Sequence, residues 1–489
     1  AVGATALKTN SIGVRNISIG HNSMELNQNG SDNVAIGHDA LKIGTDSDNN
    51  VAIGRAALGA TTSDNNTAVG RNAMALNTSG SGVAVGAYAL DAQTTGYNNT
   101  AIGNNALSTM TTGGRNVAVG RNCMGAATTA LYNVAVGTFS LQNTTTGSSN
   151  TAIGYHAMNL NTEGGSLVAV GVNALYSNTT GLRNVAIGSN ALYANTANDN
   201  LAVGPSALAA NTSGTENIAI GLYCLDANTT GIKNVAVGKY ALSAITSGAR
   251  CTAVGDQALG NTTGNRNTGV GHYALNANTA GYQNTALGDE AAMYQTGNDN
   301  VAIGQRAHRG VSSGTHTANN VVAVGRNALY SNTTGGSTVG IGDQALESNT
   351  TGTVNVACGA EALHNNTTGG YNTAIGTEAL ESNTIGSHNV AVGHQALDAN
   401  IGSHYNVAIG KDALTSFTGE DHAQADGIVA IGYNALKSAT SQIYSTVVGY
   451  KAAENATMAH YSNIFGFEAA GSLTTGGGLH AFGYRAGYN

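Results

Sequence analysis

Proline, tryptophan, phenylalanine and charge are all scarce in this chain. Its 489 residues include one Pro, no Trp, five Phe and only 9% charged side chains. A globular protein of this length carries about a quarter charged residues and folds as several domains. Large aromatic-rich cores are therefore not expected, and the 41% apolar content is mostly Ala and Val. Nineteen bases against 27 acids, thinly spread, leave a net charge of −8 and no basic stripe to neutralise phosphates, which argues against nucleic acid as a partner. No run approaches 18 uncharged apolar residues, so no membrane span is predicted, and the opening Ala1-Val2-Gly3 has neither the charged nor the apolar region of a signal peptide. That opening already lies inside a repeated motif, which suggests a processed chain or a fragment. The four cysteines, Cys123, Cys224, Cys251 and Cys358, lack CxxC spacing and read as unpaired small hydrophobes.

Glycine is what the chain has in excess: 68 residues, about one in seven. Many belong to the string Val/Thr-Ala-Val/Ile-Gly, whose glycine recurs from Gly3 to Gly483 at 29 positions. Of the 28 intervals, 21 are 17 residues, five are 16, one is 21 and one is 22. Residues 184–200 show the unit, and the consensus is N-V-A-I-G-x-x-A-L-x-x-N-T-T-G-x-x.

In Val185-Ala186-Ile187 the β-branched residues alternate with Ala, which is strand periodicity. Ala191-Leu192 reads as a second short strand after a Gly-led corner, and Asn-Thr-Thr-Gly supplies turn chemistry, with Gly taking positive φ and Asn capping its own backbone. A unit this small cannot form a core alone, so neighbouring units must cover its edges. The expected fold is all-β: a parallel β-solenoid of the left-handed β-roll type with about 17 residues per coil and about 28 coils. At one strand spacing per coil it forms a rod of roughly 135 Å. Hexapeptide-type triangular helices need three similarly spaced apolar positions, which this unit lacks, so a two-sheet roll fits better. Pro205, just after a corner glycine, is tolerable where a backbone ladder would admit few others.

Two columns carry further expectations. Nineteen coils have Asn four residues before the signature glycine, from Asn16 and Asn33 to Asn406, and stacked amides can hydrogen-bond along such a column. The Ala column (Ala35, Ala52, Ala68, Ala84, Ala101, Ala118 onward) is expected to form a smooth exposed stripe opposite an enclosed Val/Ile face. A long apolar stripe is unusual on a monomer, so lateral association is predicted, most plausibly as a parallel homotrimer.

The N-V-A-I-G-x-x-A-L string resembles the head repeat of trimeric autotransporter (YadA-like) adhesins. The longer N-T-A-I-G-x-x-A-L-x-x-N-T-T-G array is similar to those of bacteriophage tail fibres. The likeness covers essentially all of residues 1–489. Adhesin-head units are shorter, typically about 14 residues, so the tail-fibre-like array matches better. No stalk, membrane anchor or chaperone domain is recognisable. The resemblance implies a stacked parallel β-roll that trimerises in an extracellular surface fibre.

On a uniform rod, deviations are the informative places. Residues 1–432 read as a regular array and 433–489 as degenerate terminal coils that cap the stack or lead to a following domain, with Phe465, Phe467 and Phe482. Insertions near 305–324 and 411–431 are expected to be surface loops. The first offers His308, Arg309 and His316 as receptor contacts; the second offers Glu420, Asp421, His422 and Asp426, a set that could also hold a cation or a sugar, although a solvated loop needs no ligand. Asp46-Ser47-Asp48-Asn49 and Asn298-Asp299-Asn300 lack calcium-loop spacing and read as Asx turns.

No catalytic, cofactor-binding or metal residues are assigned: G-x-S-x-G and H-E-x-x-H do not occur. Glu347, Glu361, Glu378 and Glu381 on nearby coils could pair as in polysaccharide-cleaving spikes, though a solvated acidic face is the preferred reading. Tyr176, Tyr193 and Tyr330 follow Leu and offer stacking platforms for glycans. The expected function is a non-enzymatic attachment fibre, on a virion tail or a cell surface, whose partners are copies of itself and a surface glycan or protein. A bacterial adhesin head or filament subunit is the alternative, followed by a depolymerase spike and an ice-binding Thr array.

Overall fold

The computed structural model describes residues 1–312, 316–419, 427–441 and 444–488. They form two compact units, Ala1–Ser247 and Gly248–Asn489. Each is a parallel β-solenoid, and no helix occurs among the described residues. Strands of three or four residues run from β1 (Ile17–Ile19) to β14 (Val235–Val237) in the first unit and from β15 (Thr252–Val254) to β28 (His480–Phe482) in the second. Within a unit each strand pairs in parallel with the strand of the next coil. Val185, Ala186 and Ile187 of β11, for instance, lie against Leu201, Ala202 and Val203 of β12 (Leu201–Val203). The change in composition at residue 433 does not interrupt pairing, which continues from β25 (Val429–Ile431) to β28.

Each coil has one strand, not the two expected. Ala191-Leu192 lies in a run of turns: the Ala191 N–H donates to the Gly188 carbonyl at 3.3 Å, and Asn190 and Leu192 both take positive φ, 57° and 51°. A residue in the left-handed region cannot extend a strand. Its N–H instead reaches the neighbouring coil, as from Leu192 to the Ala207 carbonyl at 3.0 Å. The signature glycines stand near φ +135°, a region closed to L side chains. A Cβ on Gly171 would sit 2.6 Å from the Gly188 carbonyl oxygen.

The Ala column is inside, which reverses the expectation. Ala35, Ala52, Ala68, Ala84, Ala101 and Ala118 are fully buried, while Ile53, Val85, Ile102 and Ile187 are 37–41% exposed. Cross-section decides it: Leu enters the coil from the turn, as at Leu41, Leu58 and Leu192, and the space left opposite holds only a methyl group. Late in the array Ala453 takes a Leu position, and the buried Ala position set against it holds the larger Ile464.

The Asn column forms the expected ladder. Asn33 Oδ1 accepts the Asn50 backbone N–H at 2.9 Å, and Asn33 Nδ2 donates to the Ser47 carbonyl at 2.7 Å. A second ladder, unforeseen, uses the Asn of Asn-Thr-Thr-Gly. Asn178 Nδ2 donates to Asn161 Oδ1 at 3.0 Å, and Asn366, Asn383 and Asn400 repeat the contact at 2.7–2.8 Å. These side chains are buried, so the ladders satisfy amides that would otherwise be costly to enclose.

Candidate interaction surfaces

The strand alternation that turns Ala inward turns Val and Ile outward. From β1 to β26 (Thr446–Val448) the first and third strand positions, apart from Gly82 and Asn99 that open the four-residue strands, hold only Val, Ile, Leu, Thr or Cys. Stacked in register, they leave an uncharged face in each unit. With its most exposed members at 36–51%, this face amounts to on the order of 1,000 Å² per unit, against the few hundred expected of a monomer's largest apolar patch. Three of the four cysteines are buried, and the fourth, Cys358, is exposed in this face between Ile341 and Ile375. Burial pushes the Cys123 and Cys224 thiols up to about 12.

The insertion after Gly304 does not present its expected contacts. His308 takes the Leu position of its coil and is fully buried; His316 is 3% exposed. Asn332 Nδ2 donates to His308 Nε2 at 3.2 Å, while His308 Nδ1 has no partner among the described residues. His316 Nε2 donates to the Val311 carbonyl at 2.7 Å. Burial, with His316 beside it, drives His308 down to about 3, so the ring is neutral. Arg309 is pinned rather than free: its guanidinium bonds Glu290 Oε2 at 2.8 Å and the Tyr330 hydroxyl at 3.0 Å, and lies over the Tyr294 and Tyr330 rings. Of the three polar residues read as a surface loop, His308 and His316 are buried and Arg309 is half-buried and held in place. Glu420, Asp421, His422 and Asp426 lie outside the described residues.

Carboxylates of the second unit are engaged by neighbours: Glu347 accepts Gln344 Nε2 of its own coil at 2.7 Å and faces His364 of the next at 3.7 Å, and Glu378 accepts Gln395 Nε2 of the next coil at 2.7 Å. Asp398 is pushed up to about 7, first by burial and then by the neighbouring charges of Glu381 and Glu378. The Asp/Asn-rich turns also bond across coils: Asp48 Oδ1 accepts the Ser31 N–H at 2.7 Å, and Asn298 Oδ1 accepts the Tyr282 N–H at 3.0 Å. Among the described residues no group of three or more His, Cys, Asp or Glu could hold a metal ion, and no helix is long and apolar enough to cross a membrane.

Aromatic residues stack along the coil. Tyr176 and Tyr193 are 5.2 Å apart, and Tyr433, Tyr450, Phe467 and Tyr484 form a four-ring column at 5.0–5.4 Å. Phe465 and Phe482 stack at 5.3 Å where Val and Ile stand elsewhere, so the outward face ends in aromatic rings. No family model matches the chain, and no curated protein does.

Proposed function

We propose that the chain is a structural segment of an extracellular attachment fibre, of the kind its repeat resembles in bacteriophage tail fibres, assembled from parallel copies as a trimer. The observation that carries this reading is the uncharged Val/Ile face. An apolar strip on the order of 1,000 Å² per unit matches what each partner buries in a stable interface, and one side-chain column repeated coil after coil is complementary to itself in register. Polar and aromatic columns then remain outside to meet a glycan or protein on a cell or particle surface. The non-enzymatic reading draws on Glu347 and Glu378 being engaged by neighbouring side chains.

The test is oligomeric state by light scattering, with thiol alkylation of Cys358. Association through this face protects Cys358 in the native assembly and frees it in a variant carrying Ile341→Asp and Ile375→Asp. A monodisperse monomer with a freely reactive Cys358 refutes the reading. One observation favours polysaccharide cleavage as a second reading: Asp398, which keeps its proton to near neutrality, neighbours Glu381. New reducing ends from a bacterial polysaccharide panel, abolished by Asp398→Asn, are its signature.

A further inference from the structure

The Tyr176–Tyr193 stack ends in a step. His156 lies on one side of Tyr176 at 5.8 Å and Tyr193 on the other at 5.2 Å, so both faces of Tyr176 are covered. The corresponding position of the next coil is Ala209, and no ring follows Tyr193. Its remaining face borders a recess of about 390 Å³ lined by Asn173, Asn190, Tyr193, Ser206 and Ala209. Tyr193 is 39% exposed. Asn173 Nδ2 donates to Asn190 Oδ1 at 3.2 Å, which orients the Asn190 amide with its own Nδ2 left over among the described residues. The same groove opens again at Asn105, Ser108, Asn122, Gly125 and Gln142, at about 290 Å³, where the outer column is small; there it has amides but no ring.

We propose that the Tyr193 recess is a subsite for a neutral hexopyranose unit of a glycan. An aromatic face takes the apolar C–H side of a pyranose, while an amide and a hydroxyl at its rim exchange hydrogen bonds with the sugar hydroxyls. No charged side chain lines the recess, so uronic and sialic acids gain no counter-charge there. The size suits one or two rings, and its openness suits a residue within a longer chain. The Asn122 groove, lacking the ring, lacks the stacking half of this recognition. The proposal deepens the attachment reading, since it names the chemistry attached to, but does not depend on how copies assemble.

The experiment is saturation-transfer NMR on the native assembly with methyl glycosides of glucose, galactose and N-acetylglucosamine, and with glucuronate. Transfer to the ring protons of at least one neutral sugar is expected, with affinity in the millimolar range. Tyr193→Ala abolishes it, Tyr193→Phe retains it, and Tyr240→Ala, which alters a ring stacked on Tyr223 elsewhere, leaves it unchanged. Circular dichroism checks that each variant is folded. No transfer from any neutral sugar, transfer only from glucuronate, or transfer indifferent to Tyr193→Ala overturns the proposal. Binding of labelled protein to cells separates the two readings: cell binding that survives Tyr193→Ala leaves attachment standing and sinks this subsite, whereas sugar transfer without cell binding does the reverse.

Discussion

Replacing Gly171 with Ala isolates the constraint that makes the coil possible. Gly171 has φ +135°, and an added Cβ would meet the Gly188 oxygen at 2.6 Å, the Gly188 carbonyl carbon at 2.7 Å and the Ser189 nitrogen at 3.1 Å, all backbone of the next coil. Strain at such a φ costs about 1–3 kcal/mol, and forcing an extra methyl between packed backbones about 1–3 more. Relief requires the coils to separate, which lengthens the Gly188 N–H to Val170 carbonyl bond, now 2.8 Å. A local loss of about 3–5 kcal/mol is expected. Repeat arrays open locally rather than all at once, so the readout is hydrogen exchange over residues 151–205, where protection should fall at least about a hundredfold. Gly125→Ala is the control. Its Cβ would stand 3.4 Å from the Asn122 carbonyl, and its φ is not positive, so the reduced freedom of the unfolded chain stabilises it by about 0.4–1 kcal/mol. If the two variants protect residues 151–205 equally, the account of the signature glycine is wrong.

Acid should weaken the coil around His308. Its folded pKa of about 3 lies below the unfolded value near 6.5, so its contribution is complete above pH 6.5 and is lost as pH falls toward 3, by about 1.4 kcal/mol per unit. His308→Leu should remove that dependence from hydrogen exchange over residues 288–345; an unchanged pH profile refutes the assignment. In the late coils, Ile464→Ala should cost about 2–4 kcal/mol and Ala453→Leu about 1–3 by overpacking, while the double variant recovers most of both losses, since the register that sets Gly269 against Leu259 sets Ile464 against Ala453. Strictly additive losses in a double-mutant cycle count against that pairing. Val354 is β-branched at φ 58° and 42% exposed, so Val354→Asn should raise local stability by about 1 kcal/mol, with unchanged or lower protection as the contrary result.

Much of the architecture was legible because its causes are one-dimensional. A glycine returning every 16 or 17 residues, a strand triplet before it and Asn at a constant offset leave parallel, in-register stacking as the arrangement that satisfies them all, and the pairings of β1 to β14 and of β15 to β28 follow that register. The Asn33 ladder was readable for the same reason. The second ladder, at Asn161 and Asn178, carried a signal of equal strength, but an Asn before Thr-Thr-Gly reads first as a turn residue. The insertion misled in a similar way: polar residues in an extra-long segment read as a loop, and nothing local says that His308 stands in the Leu column.

Alternation in Val185-Ala186-Ile187 says that Ala and Val point to opposite sides; it is silent on which side is the interior. Only the closed coil answers, because the volume left inside depends on Leu192, in the turn after one strand, packing against the middle residue of the next coil's strand. Once Leu fills the narrow section, a methyl group is all that fits opposite, and the β-branched residues must face outward, where the surface they leave bare is the surface on which assembly is proposed.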